Sequence, residues 1–314
     1  TLPRSLLCSF LGTSTMRSPL HSSLPVLGVL TCVWFSLVPC PAAEVAIEPD
    51  VVYGHKDGLA MTFDVYRPGQ TNGGTILFMV SGGWYSSWWP AEQMLPMFGP
   101  FTDAGFTVIA VRHGSSPRYG ISDAVEDVRR AVRYVRHHAD ELHVDPERLG
   151  AFGMSAGGHL SLMLGTTSDA GNDVADDPVL RASDRVQAVC AWVAPTDLRP
   201  VAWSNPDHEK QYENVPGLDI TQDVAASMSP LLAVSAGDAP ALLIAGDQDT
   251  LVPIWHSERI HAALEEAGVE TGLVAIPGAG HGFAGGDMAR AVAETVSWFT
   301  THLGTRSAID QPIP

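Results

Sequence analysis

The sequence predicts an α/β protein, with a mostly parallel central sheet, an antiparallel hairpin at its start and helices on both faces. First, short apolar runs alternate along the chain with longer amphipathic segments, which is the order of buried strands and crossover helices. Second, Asp57-Gly58 separates two alternating runs, as is typical of a hairpin turn. Third, the 314 residues are 45% hydrophobic and 17% charged, a balance typical of a globular protein with a sizeable core.

Residues 1–43 are expected to be a leader that precedes the folded domain. The apolar run 24–38 follows Arg17 and ends before small residues at Ala43, which is the layout of a secretory signal. We therefore expect an exported protein that is cut near Ala43, with Met16 as a candidate for the true start. The run is too short for a comfortable membrane crossing, so no stable span is expected.

The rest of the chain, 44–314, is expected to be one domain, because no linker or repeat divides it. The helix over 121–142 has the strongest signal, since apolar residues recur there at steps of three and four. This stripe consists of Ile121, Val125, Val128, Val132, Val135, Ala139 and Leu142. Other helices are predicted behind Ser155, over 255–267 and over 287–303. Strands are predicted over 51–68 (as a hairpin), 75–81, 106–111, 148–154, 186–193, 241–245 and 271–276.

Two long irregular stretches interrupt this alternation, 166–185 and 196–235. Both are expected to follow strands at the edge of the sheet where a site would form, so each is a candidate for a cap or lid. The acidic residues between 169 and 177 could bind calcium or simply face solvent. Cys190 is the one cysteine of 44–314, so no intramolecular disulfide is expected there.

The segment Gly153-Met154-Ser155-Ala156-Gly157 carries the clearest functional signal. It has the pattern G-x-S-x-G between a predicted strand and a predicted helix, which is the setting of a nucleophile elbow. Glycines suit positions where backbones crowd around a strained turn. The helix start behind Ser155 offers free N–H groups and a positive dipole end to a developing oxyanion. Ser155 is therefore the predicted nucleophile, rather than part of an ordinary Gly-rich turn.

A serine hydroxyl needs a base within hydrogen-bond reach, and the base needs an acid that orients it. His281 lies between two glycines just after a predicted strand and is the predicted base. Asp249 and Asp247 both follow the strand over 241–245 and are the two candidates for the acid, with the Asp-x-x-Val-Pro arrangement favouring Asp249. Asp197 is a third candidate, and its alternative role is a turn or helix cap. These loops follow the carboxyl ends of strands, where open α/β sheets place their sites.

Gly82-Gly83-Trp84 and Ala156 are predicted to form an oxyanion hole. Such a hole needs two backbone N–H groups aimed at the oxygen of the tetrahedral intermediate. One N–H would come from Ala156, next after the nucleophile, and the other from the turn that follows the strand over 75–81. The alternative is an ordinary Gly-Gly turn with no role in catalysis.

Trp84, Tyr85 and Trp88 are predicted to bind substrate. Aromatic side chains beside an oxyanion turn are typical of an apolar acyl or alcohol pocket. The alternative is that they pack a short helix against the sheet. His159, one turn into the helix behind the nucleophile, either supports the site or packs that helix, and His113 has no assigned role.

The formal charge of −17, from 18 basic and 35 acidic residues, bears on the partners of the protein. It argues against nucleic acid and against anionic membrane surfaces, because both would be repelled. The charge otherwise favours solubility, and it leaves the oligomeric state open.

With these motifs the chain resembles the α/β-hydrolase superfamily, in particular the branch of hormone-sensitive-lipase-like and acetyl-xylan or feruloyl esterases. The resemblance covers nearly all of 44–314, and it rests on residues 82–84, 153–157, 249–253 and 280–282. One departure lies at the oxyanion turn. That branch usually has His-Gly-Gly-Gly-Trp there, whereas this chain has Val-Ser-Gly-Gly-Trp and so lacks the histidine that braces the loop.

The resemblance implies the α/β-hydrolase fold and a two-step acyl transfer that requires no metal or cofactor. Ser155 would attack an ester carbonyl while His281 takes its proton and Asp249 holds the imidazole. The implied protein is a secreted serine carboxylesterase acting on a small-molecule or carbohydrate ester. Two alternatives stay open: a serine peptidase or amidase of the prolyl-oligopeptidase type, and a hydrolase fold that binds a ligand without catalysis.

Overall fold

The structure, a computed structural model, describes residues 44–304. The leader predicted over 1–43 lies outside the described residues. An eight-stranded sheet forms the centre. Its strands are β1 (Ala46–Lys56), β2 (Leu59–Arg67), β3 (Thr75–Met79), β4 (Thr107–Val111), β5 (Leu149–Met154), β6 (Ala188–Trp192), β7 (Ala241–Gly246) and β8 (Thr271–Ile276). The helices are α1 (Leu95–Asp103), α2 (Ile121–His137), α3 (Ala156–Thr166), α4 (Gln222–Ser227), α5 (Pro230–Ala233), α6 (Trp255–Glu266) and α7 (Gly285–Leu303).

The sheet has the order β1-β2-β4-β3-β5-β6-β7-β8. β1 and β2 form the predicted hairpin, and its turn residues Asp57 and Gly58 both have positive φ, 49° and 79°, as a type I′ turn requires. β2 also pairs antiparallel with β4, and every pair from β4 to β8 is parallel. The prediction of a mostly parallel sheet with an antiparallel start is confirmed.

Helices cover both faces of this sheet. α2, α3 and α6 pack on one face through residues such as Val128, Leu160 and Ile260, while α1 and α7 pack on the other through Phe98 and Phe299. Because both faces are covered, β3, β4, β6 and β7 are buried along their whole length. This explains why these strands are continuous apolar runs rather than alternating ones. Within 44–304 no helix has the length and apolar character needed to cross a membrane.

Two helices differ from the sequence prediction. α2 ends at His137 rather than at 142, because His138 leaves the helical region, although Leu142 beyond it is still buried. α1 was not predicted, since Pro96, Gly99 and Pro100 all disfavour a helix interior. One of these prolines lies in the first turn, where the missing N–H costs nothing.

The segment 166–185 does not lie where the sequence prediction put it. It follows a helix rather than a strand, and α3 runs back from the Ser155 edge of the sheet to the opposite edge. The chain that leaves this segment is bonded at that opposite edge. There the Gln187 N–H donates to the carbonyl of Leu149, the first residue of β5, at 2.8 Å. Within the described chain none of its residues lines the cavity at Ser155, so this part of the cap prediction is corrected.

Ion pairs tie 166–185 to the outer side of α2. Asp184 is fully buried and accepts hydrogen bonds from Arg129 and Arg133, each at 3.1 Å. Arg133 also bonds Asp169 at 2.7 Å, which holds the pKa of that carboxyl below its usual value despite its partial desolvation. Asp169, Asp177 and Asp184 therefore pair with arginines of α2, whereas Asp173 and Asp176 are exposed to solvent, as one of the two alternatives predicted.

Candidate active site

Ser155 lies at the turn between β5 and α3, with φ 52° and ψ −122°. A non-glycine residue in this region of positive φ is strained by about 1–3 kcal/mol, so the surroundings must hold it there. The Ser155 N–H donates to the Trp192 carbonyl of β6 at 2.8 Å, and the Ser155 carbonyl accepts from the His159 N–H at 3.0 Å. The turn thus lifts the hydroxyl above the carboxyl edge of the sheet.

The two glycines of the G-x-S-x-G motif are there because backbone passes too close for any side chain. A Cβ on Gly153 would lie 2.3 Å from the backbone of Gly157. A Cβ on Gly157 would in turn lie 2.5 Å from the Met79 carbonyl oxygen of β3. Strand, turn and helix can therefore meet only if both positions lack a side chain.

A continuous chain of hydrogen bonds joins Ser155, His281 and Asp249. Nε2 of His281 lies 2.9 Å from Oγ of Ser155, and Nδ1 of His281 lies 2.7 Å from Oδ2 of Asp249. The other carboxylate oxygen, Oδ1, accepts the N–H groups of Leu251 and Val252, both at 2.9 Å. The Asp249 side chain is 0% exposed, while that of His281 is 26% exposed. A buried acid thus orients an imidazole that remains open to the cavity.

Asp247, the rival candidate for the acid, has a different partner. Its Oδ1 accepts the Gly278 N–H at 2.7 Å and so braces the loop that leads to His281. Asp197, the third candidate, bonds the Arg199 guanidinium at 2.8 and 2.9 Å, and this pairing lowers the pKa of its carboxyl. Of the three aspartates, Asp249 is the one hydrogen-bonded to His281.

The backbone N–H groups near Ser155 fall into two sets. Within residues 44–304, those of Ala156, Gly83 and Trp84 have no hydrogen-bond partner. The Gly82 N–H, in contrast, donates to the Tyr85 carbonyl at 2.9 Å and closes the turn. Gly82 therefore shapes the predicted oxyanion hole without being free to donate to it, which corrects its place among the predicted donors.

His159 joins the oxyanion turn to the nucleophile helix. Its Nδ1 accepts the Trp84 indole N–H at 3.2 Å, and its Nε2 donates to the Met228 carbonyl at 2.7 Å. The indole can only donate, so His159 must be neutral with its proton on Nε2. Complete burial lowers the pKa of His159 to about 4, in agreement with this state.

His113 contacts the oxyanion turn at the position where this chain lacks the histidine usual in the resembled esterase branch. Its Nε2 lies 2.8 Å from Oγ of Ser81, and its Nδ1 lies 2.8 Å from the Gly114 carbonyl. Ser81 immediately precedes Gly82, so a histidine from the end of β4 braces the turn through a serine. No spacing rule links these two positions, and the sequence therefore left His113 without a role.

A cavity of about 370 Å³ opens beside Ser155 and His281. The candidate oxyanion donors Gly83, Trp84 and Ala156 line one side of it. Most of the remaining wall is apolar and comes from residues 195–218 and from residues 251–256, which include the start of α6. These wall residues are Pro195, Val201, Tyr212, Val215, Leu218, Leu251, Val252 and His256.

Tyr85 and Trp88 do not line this cavity, contrary to their predicted role as pocket residues. They are 57% and 60% exposed and border a separate surface groove of about 630 Å³. Trp84 and Gly83 both have positive φ, so the chain reverses at the turn and carries the next aromatic residues outward. Of the three predicted aromatics, Trp84 alone is among the residues that line the Ser155 cavity.

Comparison with known proteins agrees with this architecture. A model of the BD-FAE family matches residues 63–264, well over half of the chain. The chain belongs to the BD-FAE family. This is an esterase family of the α/β-hydrolase fold, so the resemblance inferred from the motifs is confirmed.

Two relatives of this BD-FAE member are named as ester hydrolases, both at modest identity. An ethyl acetate hydrolase of Pseudomonas putida is 29% identical over 258 residues, covering 76% of this chain and 77% of the relative. LipM of Mycobacterium tuberculosis, whose name assigns it to the carboxylic ester hydrolases, is 29% identical over 221 residues. That alignment covers 67% of this chain but 50% of LipM, so the chain spans about half the length of this relative.

A solved structure of a carbohydrate esterase from gut microbiota is similar along almost its whole length. Its TM-score is 0.69 at 25% sequence identity, and the match covers 84% of this chain and 98% of the other. The prediction of an α/β-hydrolase fold is therefore confirmed, with the antiparallel hairpin and the covering helices as described above.

Proposed function

We propose that this protein is a serine carboxylesterase with Ser155 as nucleophile, His281 as general base and acid, and Asp249 as the residue that orients the imidazole. The hydrogen-bonded chain of these three side chains, facing a cavity, carries the proposal. Membership of an esterase family and the names of the relatives support it independently.

The proposed reaction has two steps. Ser155 Oγ attacks the ester carbonyl carbon while His281 Nε2 takes the hydroxyl proton, and Asp249 stabilises the resulting imidazolium. The N–H groups of Ala156 and of Gly83 or Trp84 donate to the tetrahedral oxyanion. His281 then protonates the leaving alcohol. Water attacks the acyl-enzyme by the same route, which releases the acid and restores the serine.

We infer that the natural substrate is a small ester, of either a simple alcohol or a sugar. The cavity volume of about 370 Å³ and its mostly apolar wall suit a short acyl chain or a small alcohol. A relative named for ethyl acetate agrees with a small ester, and a similar structure named as a carbohydrate esterase agrees with an ester of a sugar.

The test is hydrolysis of p-nitrophenyl acetate and butyrate by the wild type and by Ser155→Ala. We expect the variant to lose at least roughly 1,000-fold in kcat. Ser297→Ala, an exposed serine on α7, is the matched control and should keep wild-type activity. A fluorophosphonate should add its phosphonyl mass to the wild type and to the control, but not to Ser155→Ala. Full activity of Ser155→Ala would contradict the proposal.

A matched ester and anilide of the same acyl group separates an esterase from an amidase. We expect cleavage of the ester at a rate far above that of the anilide. Comparable kcat/KM values for the two would favour the peptidase alternative. Absence of both activities, together with no fluorophosphonate labelling, would favour a protein that only binds.

We also propose that the protein is exported, with residues 1–43 removed. The support is the apolar run 24–38 between Arg17 and the small residues at Ala43. The N-terminal sequence of the protein recovered outside the cytoplasm should begin near Glu44. Recovery in the cytoplasm with the leader intact would contradict this proposal.

A further inference from the structure

His256 is a second histidine at the cavity that holds Ser155. It lies in the first turn of α6, it is among the residues that line the cavity, and it is 1% exposed. The proposed reaction makes no use of it, since His281 supplies both proton transfers. A buried polar side chain at the wall of a substrate cavity still needs a partner for each of its ring nitrogens.

The hydrogen bonds around His256 fix where its proton lies. Its Nδ1 accepts the backbone N–H of Thr196 at 3.1 Å. The Thr196 hydroxyl donates instead to the His256 carbonyl at 2.7 Å. Nδ1 therefore keeps its lone pair, and the proton of the neutral ring is on Nε2. Burial lowers the pKa of His256 to about 4, so the ring is neutral near pH 7.

Nε2–H has no hydrogen-bond partner among residues 44–304. One face of the ring stacks on Trp255, at 3.6 Å between centroids, and Nδ1 accepts from Thr196, so Nε2 is the ring nitrogen that remains for a ligand. The atom itself is buried, and His256 is among the residues that line the cavity. Side-chain rotamer changes on ligand binding are common, and the role inferred below requires one that brings Nε2 within reach of a substrate oxygen.

The other donors at this cavity are already assigned. In the proposed reaction the N–H groups of Ala156 and of Gly83 or Trp84 donate to the oxyanion, and His281 serves the nucleophile and the leaving group. The rest of the wall consists mainly of side chains such as Val201, Val215 and Leu218. Nε2–H of His256 is therefore a donor left for an oxygen of the substrate other than those of the ester that is cleaved.

We propose that His256 is a specificity-determining residue, whose Nε2–H donates a hydrogen bond to an ether, hydroxyl or carbonyl oxygen of the substrate beyond the scissile ester. The inference rests on the proposed esterase function and narrows its substrate class to oxygen-bearing esters. An ester with a hydrocarbon in that place leaves the buried N–H unpaired, so it is the poorer substrate.

Two pairs of substrates test the proposal, and each pair differs by one oxygen in place of one methylene. On the acyl side, p-nitrophenyl methoxyacetate is compared with p-nitrophenyl butyrate. On the alcohol side, 2-methoxyethyl acetate is compared with butyl acetate. For each pair the ratio of kcat/KM values is measured in one enzyme preparation, so the concentration of active enzyme cancels. The pair whose ratio responds to the variants identifies the side of the ester that reaches His256.

The variants are His256→Leu, His256→Gln and, as the matched control, His261→Gln. In His256→Leu we expect the oxygen-to-hydrocarbon ratio of one pair to fall roughly 3- to 10-fold relative to wild type. His256→Gln offers both an acceptor for the Thr196 N–H and an amide donor, so it should retain much of the ratio. His261, whose Nδ1 bonds the Thr271 hydroxyl at 3.1 Å away from the cavity, should leave both ratios unchanged.

The outcomes separate this inference from the proposed function. Ester hydrolysis with ratios that His256→Leu and His256→Gln both leave at the wild-type value would overturn the role of His256 and leave the esterase standing. No hydrolysis of any of the four esters by the wild type would overturn the esterase itself. If His256→Leu does not fold, the ratio in His256→Asn, which lacks the reach of the imidazole, decides in its place: a fall supports the role and an unchanged ratio overturns it.

Discussion

The Trp84 indole N–H donates a 3.2 Å hydrogen bond to Nδ1 of His159, and this bond crosses from the oxyanion turn to the nucleophile helix. The two rings also meet edge to face, with 5.3 Å between their centroids. The turn that carries the Gly83 and Trp84 N–H groups is thereby tied to the helix that begins behind Ser155. A cross-link of this kind pre-organises donors before the substrate arrives.

The first prediction concerns this cross-link. His159→Leu removes the acceptor of the Trp84 N–H and the donor to the Met228 carbonyl, so it should lower the free energy of unfolding by about 1–3 kcal/mol. We expect kcat to fall roughly tenfold because the oxyanion donors lose their support. Denaturant titration and p-nitrophenyl acetate kinetics measure the two effects. The control is His55→Leu, at an exposed histidine. A wild-type kcat in His159→Leu would show that the oxyanion turn keeps its geometry without the bond to His159.

The second prediction concerns stability in acid. Burial lowers the pKa of His159 to about 4 in the folded protein, whereas the unfolded chain titrates near its ordinary value. Between these two values the unfolded state binds more protons, so stability is present above about pH 6.5 and is lost as the pH falls towards 4. The loss attributable to this residue approaches about 1.4 kcal/mol per pH unit. Plots of the free energy of unfolding against pH, from pH 4 to 7, should differ in slope between the wild type and His159→Gln. Parallel plots would contradict the assignment.

The third prediction distinguishes the two rival aspartates. Asp249→Asn should lower kcat by about 10³–10⁴-fold, because the imidazole loses the partner that holds its tautomer and stabilises its charge. Asp247→Asn should cost less than about tenfold, since Asp247 bonds the Gly278 N–H and not His281. Measured kcat values for both variants under identical conditions test this. A larger loss in Asp247→Asn than in Asp249→Asn would reverse the assignment.

The fourth prediction concerns the glycine after the nucleophile. Gly157→Ala would place a Cβ 2.5 Å from the Met79 carbonyl oxygen, and neither backbone can move freely. We expect it to cost at least about 2 kcal/mol of stability and to lower activity, because α3 must shift away from β3. Gly286→Ala is the matched helical control, since nothing lies within 4 Å of its Cβ. It should leave thermal stability unchanged or raise it by up to about 1 kcal/mol.

Local patterns predicted the elements that carry the chemistry. The strand, turn and helix around Ser155 follow from contiguous residues, and so does the Asp57-Gly58 hairpin, because both depend on backbone preferences within a few positions. The loops of Asp249 and His281 could be found because each directly follows a buried strand of recognisable composition. The same reasoning missed α1, where Pro96, Gly99 and Pro100 outweigh the burial of the aromatic residues beside them.

The walls of the site could not be predicted in this way. Tyr85 and Trp88 lie within four residues of Trp84 but do not line the cavity, because two successive residues with positive φ redirect the chain. His256 joins the wall although no motif marks it. The stretch 166–185 resembles a cap in its irregularity, yet it lies against α2 through arginine–aspartate pairs whose partners are 36 to 55 residues apart.

The amino-acid sequence by itself determined the α/β alternation, the turn at Ser155 and the choice of Ser155 and His281 as members of the proposed triad, since periodicity and turn chemistry are local properties of the chain. Only the tertiary structure showed that Asp249 and not Asp247 is bonded to His281, that the N–H groups of Gly83 and Trp84 but not that of Gly82 lack a partner, and that His256 lies beside the cavity. These choices depend on which distant loops meet at one edge of the sheet. That meeting is governed by the packing of eight strands and their helices, which no single stretch of the sequence contains.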